Sequence, residues 1–134
     1  MSSLKALIGE TLTAVEVLRN TDEGDKILFT TASGKRFKMH HYQDCCEYVR
    51  IEDVTGDVGD LVGSPILVAK ESSNSSAGED ASQTWTFYKF ATTKGWVDIR
   101  WLGSSNGYYS EGVSFEEEVQ EKALDLIEDY DLYD

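Results

Sequence analysis

Apolar and polar residues alternate over short stretches along most of the chain, a pattern typical of β-strands with one buried face. The clearest case is 35–42, where Phe37, Met39 and His41 share one face and are the better core candidates. Similar stretches elsewhere predict a mainly antiparallel sheet. The predicted strands are 12–18, 26–31, 35–42, 51–54, 66–69, 84–92, 96–102 and 108–115.

Segments rich in Gly, Ser, Asn and Asp separate these strands and predict turns and loops. Ser33-Gly34 and Lys94-Gly95 are expected to close two hairpins. The loop 55–63 is expected to contain one helical turn near 58–62. The Ser-rich stretch 71–82 has nothing to bury, so we predict a mobile loop inside one domain.

The C-terminal segment changes period and predicts a helix. Its apolar residues recur at offsets of four, seven, eight and eleven among carboxylates, which places them on one helical stripe. They are Val119, Ala123, Leu126, Ile127 and Tyr130. This stripe either docks on the sheet of its own chain or recognises a partner. A second, short helix is expected to begin after Asp44. Together with the antiparallel sheet, these two helices make the predicted fold class α+β.

The predicted architecture is a curved or partly closed barrel-like antiparallel sheet of six to eight strands. We divide the chain into a single domain, 1–115, and an acidic helix or tail, 116–134. A chain of 134 residues has the usual size of one domain.

Charge is unevenly distributed. The net charge is −13, and 116–134 contains nine carboxylates against one lysine. Such acidity predicts no direct binding to DNA or RNA, which requires cations that neutralise phosphates. The sequence has no long apolar run and no leader-like start, so we expect no membrane contact and a location in the cytoplasm of the cell that makes the protein. The tail either docks on a basic partner or maintains solubility.

Six potential metal ligands fall within eight residues: His40, His41, Asp44, Cys45, Cys46 and Glu47. Structural zinc sites pair ligands two to four residues apart from separate parts of the chain, so adjacent cysteines predict no metal and no cofactor. The cysteines are expected to be reduced thiols with diverging side chains, one of them buried. Flanking carboxylates disfavour a thiolate, so a catalytic cysteine is not expected.

Aromatic residues offer a better candidate surface. The strand 96–102 has a core face of Val97, Ile99 and Trp101, while Trp96 and Arg100 fall on the opposite face. Lys89 on the preceding strand and the pair Tyr108 and Tyr109 beside a turn extend this surface. Together with Asp44, Cys45 and Cys46, these residues form the predicted binding set. The alternative is a sheet covered on both faces by loops and the tail.

Five segments resemble a family of small uncharacterised proteins of tailed bacteriophages and prophages. They are Ile8-Gly9-Glu10-Thr11-Leu12, Asp44-Cys45-Cys46-Glu47, Thr86-Phe87-Tyr88-Lys89-Phe90, Ile99-Arg100-Trp101 and Ser105-Asn106-Gly107-Tyr108-Tyr109-Ser110. The resemblance covers about 7–115, and the Asp-Cys-Cys motif and Asn-Gly-Tyr-Tyr-Ser are its most specific parts. It implies a phage origin and an accessory role, and it supplies no catalytic residues.

The leading hypothesis is a non-enzymatic phage accessory protein that binds and occupies a host macromolecule, a host protein in the first instance, with counter-defence as one such role. DNA mimicry is a variant of it. The alternatives are a protein that sequesters a small ligand such as a nucleotide signal, an enzyme with scattered site residues, or a virion component. The sequence leaves the oligomeric state open, with homo-oligomers among the options.

Overall fold

A computed structural model describes residues 4–78 and 81–118 and shows two four-stranded antiparallel sheets. Sheet 1 has the strand order β1-β2-β3-β8, and sheet 2 has the order β4-β7-β6-β5. The strands are β1 (Leu12–Thr21), β2 (Gly24–Thr31), β3 (Arg36–His40), β4 (Tyr48–Thr55), β5 (Val68–Ala77), β6 (Ser82–Thr92), β7 (Gly95–Ser105) and β8 (Ser114–Glu117).

The core lies between the two sheets and contains the inward residues of both. Four phenylalanines meet at its centre: Phe29 lies 5.5 Å from both Phe90 and Phe115, and Phe37 stacks on Phe115 at 5.5 Å. All four are at least nine-tenths buried. Such contacts between aromatic rings add specific packing to the area that they bury.

A second contact crosses the core beside the phenylalanines. The indole N–H of Trp101 on β7 donates to the sulfur of Met39 on β3, at 3.2 Å. Both side chains are fully buried. Because β7 belongs to sheet 2 and β3 to sheet 1, this contact joins the two layers.

Two 3-10 helices, Leu4–Leu7 and Val58–Leu61, are the helical elements of the described residues. The second confirms the single turn expected near 58–62. Asp57 caps it by accepting a hydrogen bond from the backbone N–H of Gly59 at 2.9 Å.

The predicted α+β class is wrong for this fold. The described residues contain no α-helix, and 41–47, where a short helix was expected, is irregular because Glu47 binds the backbone of that segment with its side chain. The sheets form two separate layers, so the partly closed barrel is also wrong.

Of the predicted C-terminal helix or tail, 116–134, residues 119–134 lie outside the described residues. The segment before it forms part of sheet 1, because Glu116 and Glu117 pair with Lys38 and Phe37 in β8. The expected boundary between domain and tail at 115/116 therefore falls within a strand.

Two further predictions failed. The stretch expected to be a mobile loop begins within β5, whose residues 68–77 all pair with β6. A strand at a sheet edge needs no apolar residues, since its neighbour supplies the hydrogen bonds. Conversely, 108–113 is irregular, and only 114–117 of the last predicted strand region pairs as β8.

Candidate functional site

The outer face of sheet 2, which points away from the core, carries aromatic and charged side chains in cross-strand rows. One row contains Lys70, Lys89, Asp98 and Thr55, and the next contains Ser72, Phe87, Arg100 and Asp53. We call these two rows, together with Trp96 and Trp85 in the rows that flank them, the aromatic face.

Trp96 is the most exposed tryptophan of the aromatic face, with 56% of its surface accessible. The ammonium of Lys89 lies 5.3 Å from the centre of the Trp96 ring and 3.7 Å from the carboxylate of Asp98. Both charged side chains are half-exposed. A cation over an indole ring is an attractive contact, and more than half of the Trp96 surface still remains accessible to a partner.

Arg100 occupies the centre of the aromatic face. Its guanidinium lies 5.5 Å from the Trp85 ring and binds the Glu52 carboxylate through Nε at 2.6 Å. The rings of Trp85 and Phe87 are stacked, with centres 6.4 Å apart. Arg100 is thus held over the Trp85 ring, with its charge already paired by a carboxylate.

A groove of about 520 Å³ runs along the aromatic face between β4 and β5. Its walls combine the ring of Phe87, which is 38% exposed, with cationic and anionic side chains. Phe87 and Trp96 remain exposed on this face, so the loops of the described residues do not cover it; the predicted tail helix beyond residue 118 lies outside those residues. The charged residues that line the groove are Asp53, Lys70, Glu71, Lys89, Asp98 and Arg100.

The remaining predicted residues gather at the far end of sheet 2. Tyr109, Cys46 and Tyr48 line a shallow concavity of about 410 Å³. Tyr108 is 82% exposed and packs edge-on against Tyr109, with ring centres 5.1 Å apart. The predicted set therefore divides into Trp96, Lys89 and Arg100 on the aromatic face and a second group at this end.

The loop 106–113 that presents the two tyrosines is anchored by a buried carboxylate. Glu111 accepts hydrogen bonds from the hydroxyls of Thr84 at 2.8 Å, Ser82 at 3.1 Å and Ser105. Burial alone would raise the pKa of Glu111, but the three hydroxyls together lower it. Its carbonyl packs so closely on Gly103 that a Cβ there would lie 2.5 Å away, so only glycine fits.

The cysteine loop 41–47 is anchored by a second buried carboxylate. Glu47 accepts from the backbone N–H of Asp44 at 2.8 Å and of Cys45 at 2.9 Å, and its other contact is His41 Nε2 at 2.7 Å. Burial would raise the pKa of Glu47, yet these hydrogen bonds lower it to about 2. The carboxylate is therefore charged and holds the loop in one conformation.

The structure joins Cys45 and Cys46 by a disulfide bond, and both residues are exposed. The predictions of two reduced thiols and of one buried cysteine are therefore wrong. The reason lies in the turn around Glu47: because the backbone of Asp44 and Cys45 points inward to the carboxylate, the two adjacent side chains lie together on the outside.

The side chains of His40 and His41 bond to carboxylate and carbonyl oxygens, and neither bonds to Cys45 or Cys46. His41 also contacts the carbonyl oxygen of Gly112 through Nδ1 at 2.7 Å, and His40 contacts Glu116 at 2.7 Å. The hydroxyl of Tyr42 donates to the same carboxylate. These contacts join β3 to β8 and to the loop before it, so they hold the edge of sheet 1 together.

Within residues 4–78 and 81–118, no cluster of three or more His, Cys, Asp and Glu side chains is arranged to hold a metal ion. In the same part of the chain, no helix is long and apolar enough to cross a membrane.

The sequence prediction omitted several residues of the aromatic face. Trp85, Phe87 and Lys89 occupy every second position of β6, so their shared face was visible in the sequence. Glu52 was not detectable in this way, since β4 contains a bulge between Ile51 and Asp53 that breaks the alternation. Lys70 was not detectable either, because the Ser-rich part of β5 that follows it was expected to be a loop.

Comparison with known families gives one match. Residues 5–115 match a domain of unknown function, DUF7448. No curated protein and no solved structure matches the chain. The match covers most of the chain and includes the whole of 7–115, the range of the resemblance found in the sequence. The chain therefore belongs to the DUF7448 family, whose domain has no assigned function.

Proposed function

We propose that this protein is a non-enzymatic binding protein and that its aromatic face engages another protein. The observation that carries the proposal is the exposure of Trp96 and Phe87, with Lys89 and Arg100 held against the rings of this face. Trp, Tyr and Arg dominate the energetic centres of protein interfaces, and an exposed cluster of such residues marks an interaction site.

The charges around the aromatic face favour a protein partner. Lys89 is paired with Asp98, and Arg100 with Glu52. Mixed, paired charges around aromatic rings suit the polar rim of a protein interface. They suit a nucleic acid less, because phosphates require unpaired cations.

The resemblance to small proteins of tailed bacteriophages supports a more specific form of the proposal. The protein is then a phage accessory factor in the host cytoplasm, and its partner is a host protein. Occupying a defence protein is one function of this kind, since a tight stoichiometric complex inhibits without chemistry.

Capture from a bacterial lysate tests the proposal. Tagged protein is recovered gently and analysed by native mass spectrometry, beside the variants Trp96→Ala and Phe87→Ala. Ile8→Ala is the matched control, because Ile8 is an exposed apolar residue outside the aromatic face. We expect a stoichiometric host protein with the wild type and the control, and a loss of roughly tenfold or more with each face variant.

Two results would overturn the proposal: no host protein bound to the wild type, or a bound protein whose recovery is the same for all four chains. In the second case the interface lies elsewhere on the molecule.

A small-ligand function is the second candidate, and the groove of about 520 Å³ favours it. A nucleotide base would stack on Phe87 while Lys70 and Lys89 approach its phosphates. A thermal shift with a nucleotide panel that is absent from Phe87→Ala would support this function. An unchanged melting temperature with every nucleotide would exclude it.

A further inference from the structure

The edge of sheet 2 formed by β5 differs from the other sheet edges of the described residues. β1 has two register shifts, β4 has one, and β8 has only four residues. β5 pairs with β6 over ten residues without a shift. Bulges and short length protect an edge strand from pairing with another chain, and β5 has neither over these residues.

The hydrogen-bond pattern shows which backbone groups of β5 face outward. The N–H of Gly78 donates to the carbonyl of Ala81 at 2.7 Å, which makes this a hydrogen-bonded pair. Since such pairs alternate along an antiparallel ladder, the even-numbered residues of β5 bond to β6. Glu71, Ser73 and Ser75 therefore direct their N–H and C=O groups away from the sheet.

Side chains do not shield this edge. Every residue from Lys70 to Ala77 is exposed, and Ser72 to Ser76 are all serine or asparagine. Small side chains leave room for another backbone at the usual strand spacing of about 4.8 Å.

We propose that β5 receives an extended segment of the partner protein by strand addition, with Glu71, Ser73 and Ser75 forming its backbone hydrogen bonds. This inference rests on the proposed function and specifies how the partner binds. In strand addition the main chain supplies affinity, and pockets for alternate side chains supply specificity.

The neighbouring groove provides the pocket that this mode of binding requires. Lys70 and Ser72 of β5 line the groove on the side of the free edge, and Phe87 lines it next to them. An apolar side chain of the added strand that points to the aromatic face would lie near Phe87. The edge and the aromatic face thus form one continuous binding surface.

Charge identifies the kind of segment. The protein has a net charge of −13, so two copies repel each other, and a segment rich in Lys or Arg is attracted. On β5 itself Lys70 and Glu71 balance each other, so this attraction comes from the overall charge of the molecule. The occupant is therefore a basic extended segment of the partner and not a second copy of this chain.

Hydrogen exchange of the free protein, measured by NMR, is the first test. We expect fast exchange of the amides of Glu71, Ser73 and Ser75 and slow exchange of those of Ser72 and Asn74. Protection of the odd-numbered amides in the monomer would mean that the chain covers its own edge, which would overturn the proposal. Protection that appears only in a dimer, identified by sedimentation, would assign the edge to a second copy and overturn it as well.

Selection from a displayed library of random short peptides is the second test. The best binders are compared on wild type, Ser73→Pro and Ser73→Ala. Proline removes the outward N–H of residue 73 without removing a bond to β6, whereas alanine keeps that N–H. We expect basic peptides that lose roughly tenfold in affinity on the proline variant and about none on the alanine variant.

A second proline variant, Ser75→Pro, covers the case in which Ser73→Pro fails to fold; melting curves show which variants are folded. Peptides that bind both folded proline variants as tightly as wild type, or no binder above background, would overturn strand addition. If the binders are insensitive to proline but lose affinity on Phe87→Ala, strand addition fails while the binding role of the aromatic face stands.

Discussion

Trp101 and Trp96 lie on the same strand, five positions apart, and face opposite sides of sheet 2. Trp101 is fully buried and its indole donates to Met39 across the core, whereas Trp96 is 56% exposed and contacts the ammonium of Lys89. The tryptophan on the inner face of β7 therefore stabilises the fold, while the tryptophan on its outer face is available to bind a partner.

The comparison predicts effects of very different size on stability for the two alanine variants. Trp101→Ala should lower the free energy of unfolding by roughly 3–5 kcal/mol, because it leaves a large cavity between the sheets. Trp96→Ala should change it by less than about 1 kcal/mol, as surface substitutions do. Urea unfolding of the two variants measures the difference. Equal losses would mean that Trp96 is part of a covered core.

The second prediction concerns the loop anchors at the end of sheet 2. Glu47→Gln should destabilise the fold at neutral pH, because an amide accepts the backbone N–H groups of Asp44 and Cys45 less well than a carboxylate does. The folded pKa of about 2 lies below the unfolded value of about 4.3. The stabilisation of the fold by the charged Glu47 carboxylate is therefore fully present above about pH 4.3 and is lost as the pH falls through the folded pKa.

Urea unfolding at a series of pH values tests this dependence. The difference between wild type and Glu47→Gln should be largest near neutral pH and should shrink toward pH 2. Glu16→Gln, at an exposed position of β1, is the control and should show a much smaller difference. A difference that stays constant across the series would contradict the role of the charged carboxylate.

The smallest predicted effect on stability belongs to Arg100→Lys on the aromatic face. Lysine keeps the charge but loses the contact of the guanidinium with Trp85 and the geometry of the bond to Glu52. The free energy of unfolding should fall by about 0.5 kcal/mol, since the pair is partly exposed. A double-mutant cycle with Glu52→Gln measures the coupling. A coupling near zero would mean that the pair does not hold Arg100 in place.

The strands that were predicted from the sequence are the ones in which alternation reflects burial. β3 and β7 alternate strictly because one face of each contacts the core, so Phe37, Met39, Ile99 and Trp101 were recognisable as core residues. Trp96 and Arg100 were found by the same rule, as the residues left on the other face.

The failures occurred where structure does not depend on apolar pattern. The Ser-rich half of β5 forms a strand because its backbone pairs with β6. The side chains of that stretch have no apolar alternation that would predict this pairing. The anchors Glu47 and Glu111 resemble surface carboxylates in the sequence; their burial depends on donors, such as His41 and Thr84, that the fold brings to them.

Oxidative footprinting in a host lysate tests the central claim, the binding role of the aromatic face, most directly. Modification of Trp96 and Phe87 is compared with that of Tyr42, an exposed ring just after β3 that bonds to Glu116. Because the lysate consumes oxidant at all sites alike, the ratio of the two modifications removes this effect. We predict that the ratio of Trp96 to Tyr42 modification falls in lysate relative to buffer. An unchanged ratio, or selective protection of Tyr42, would contradict the account.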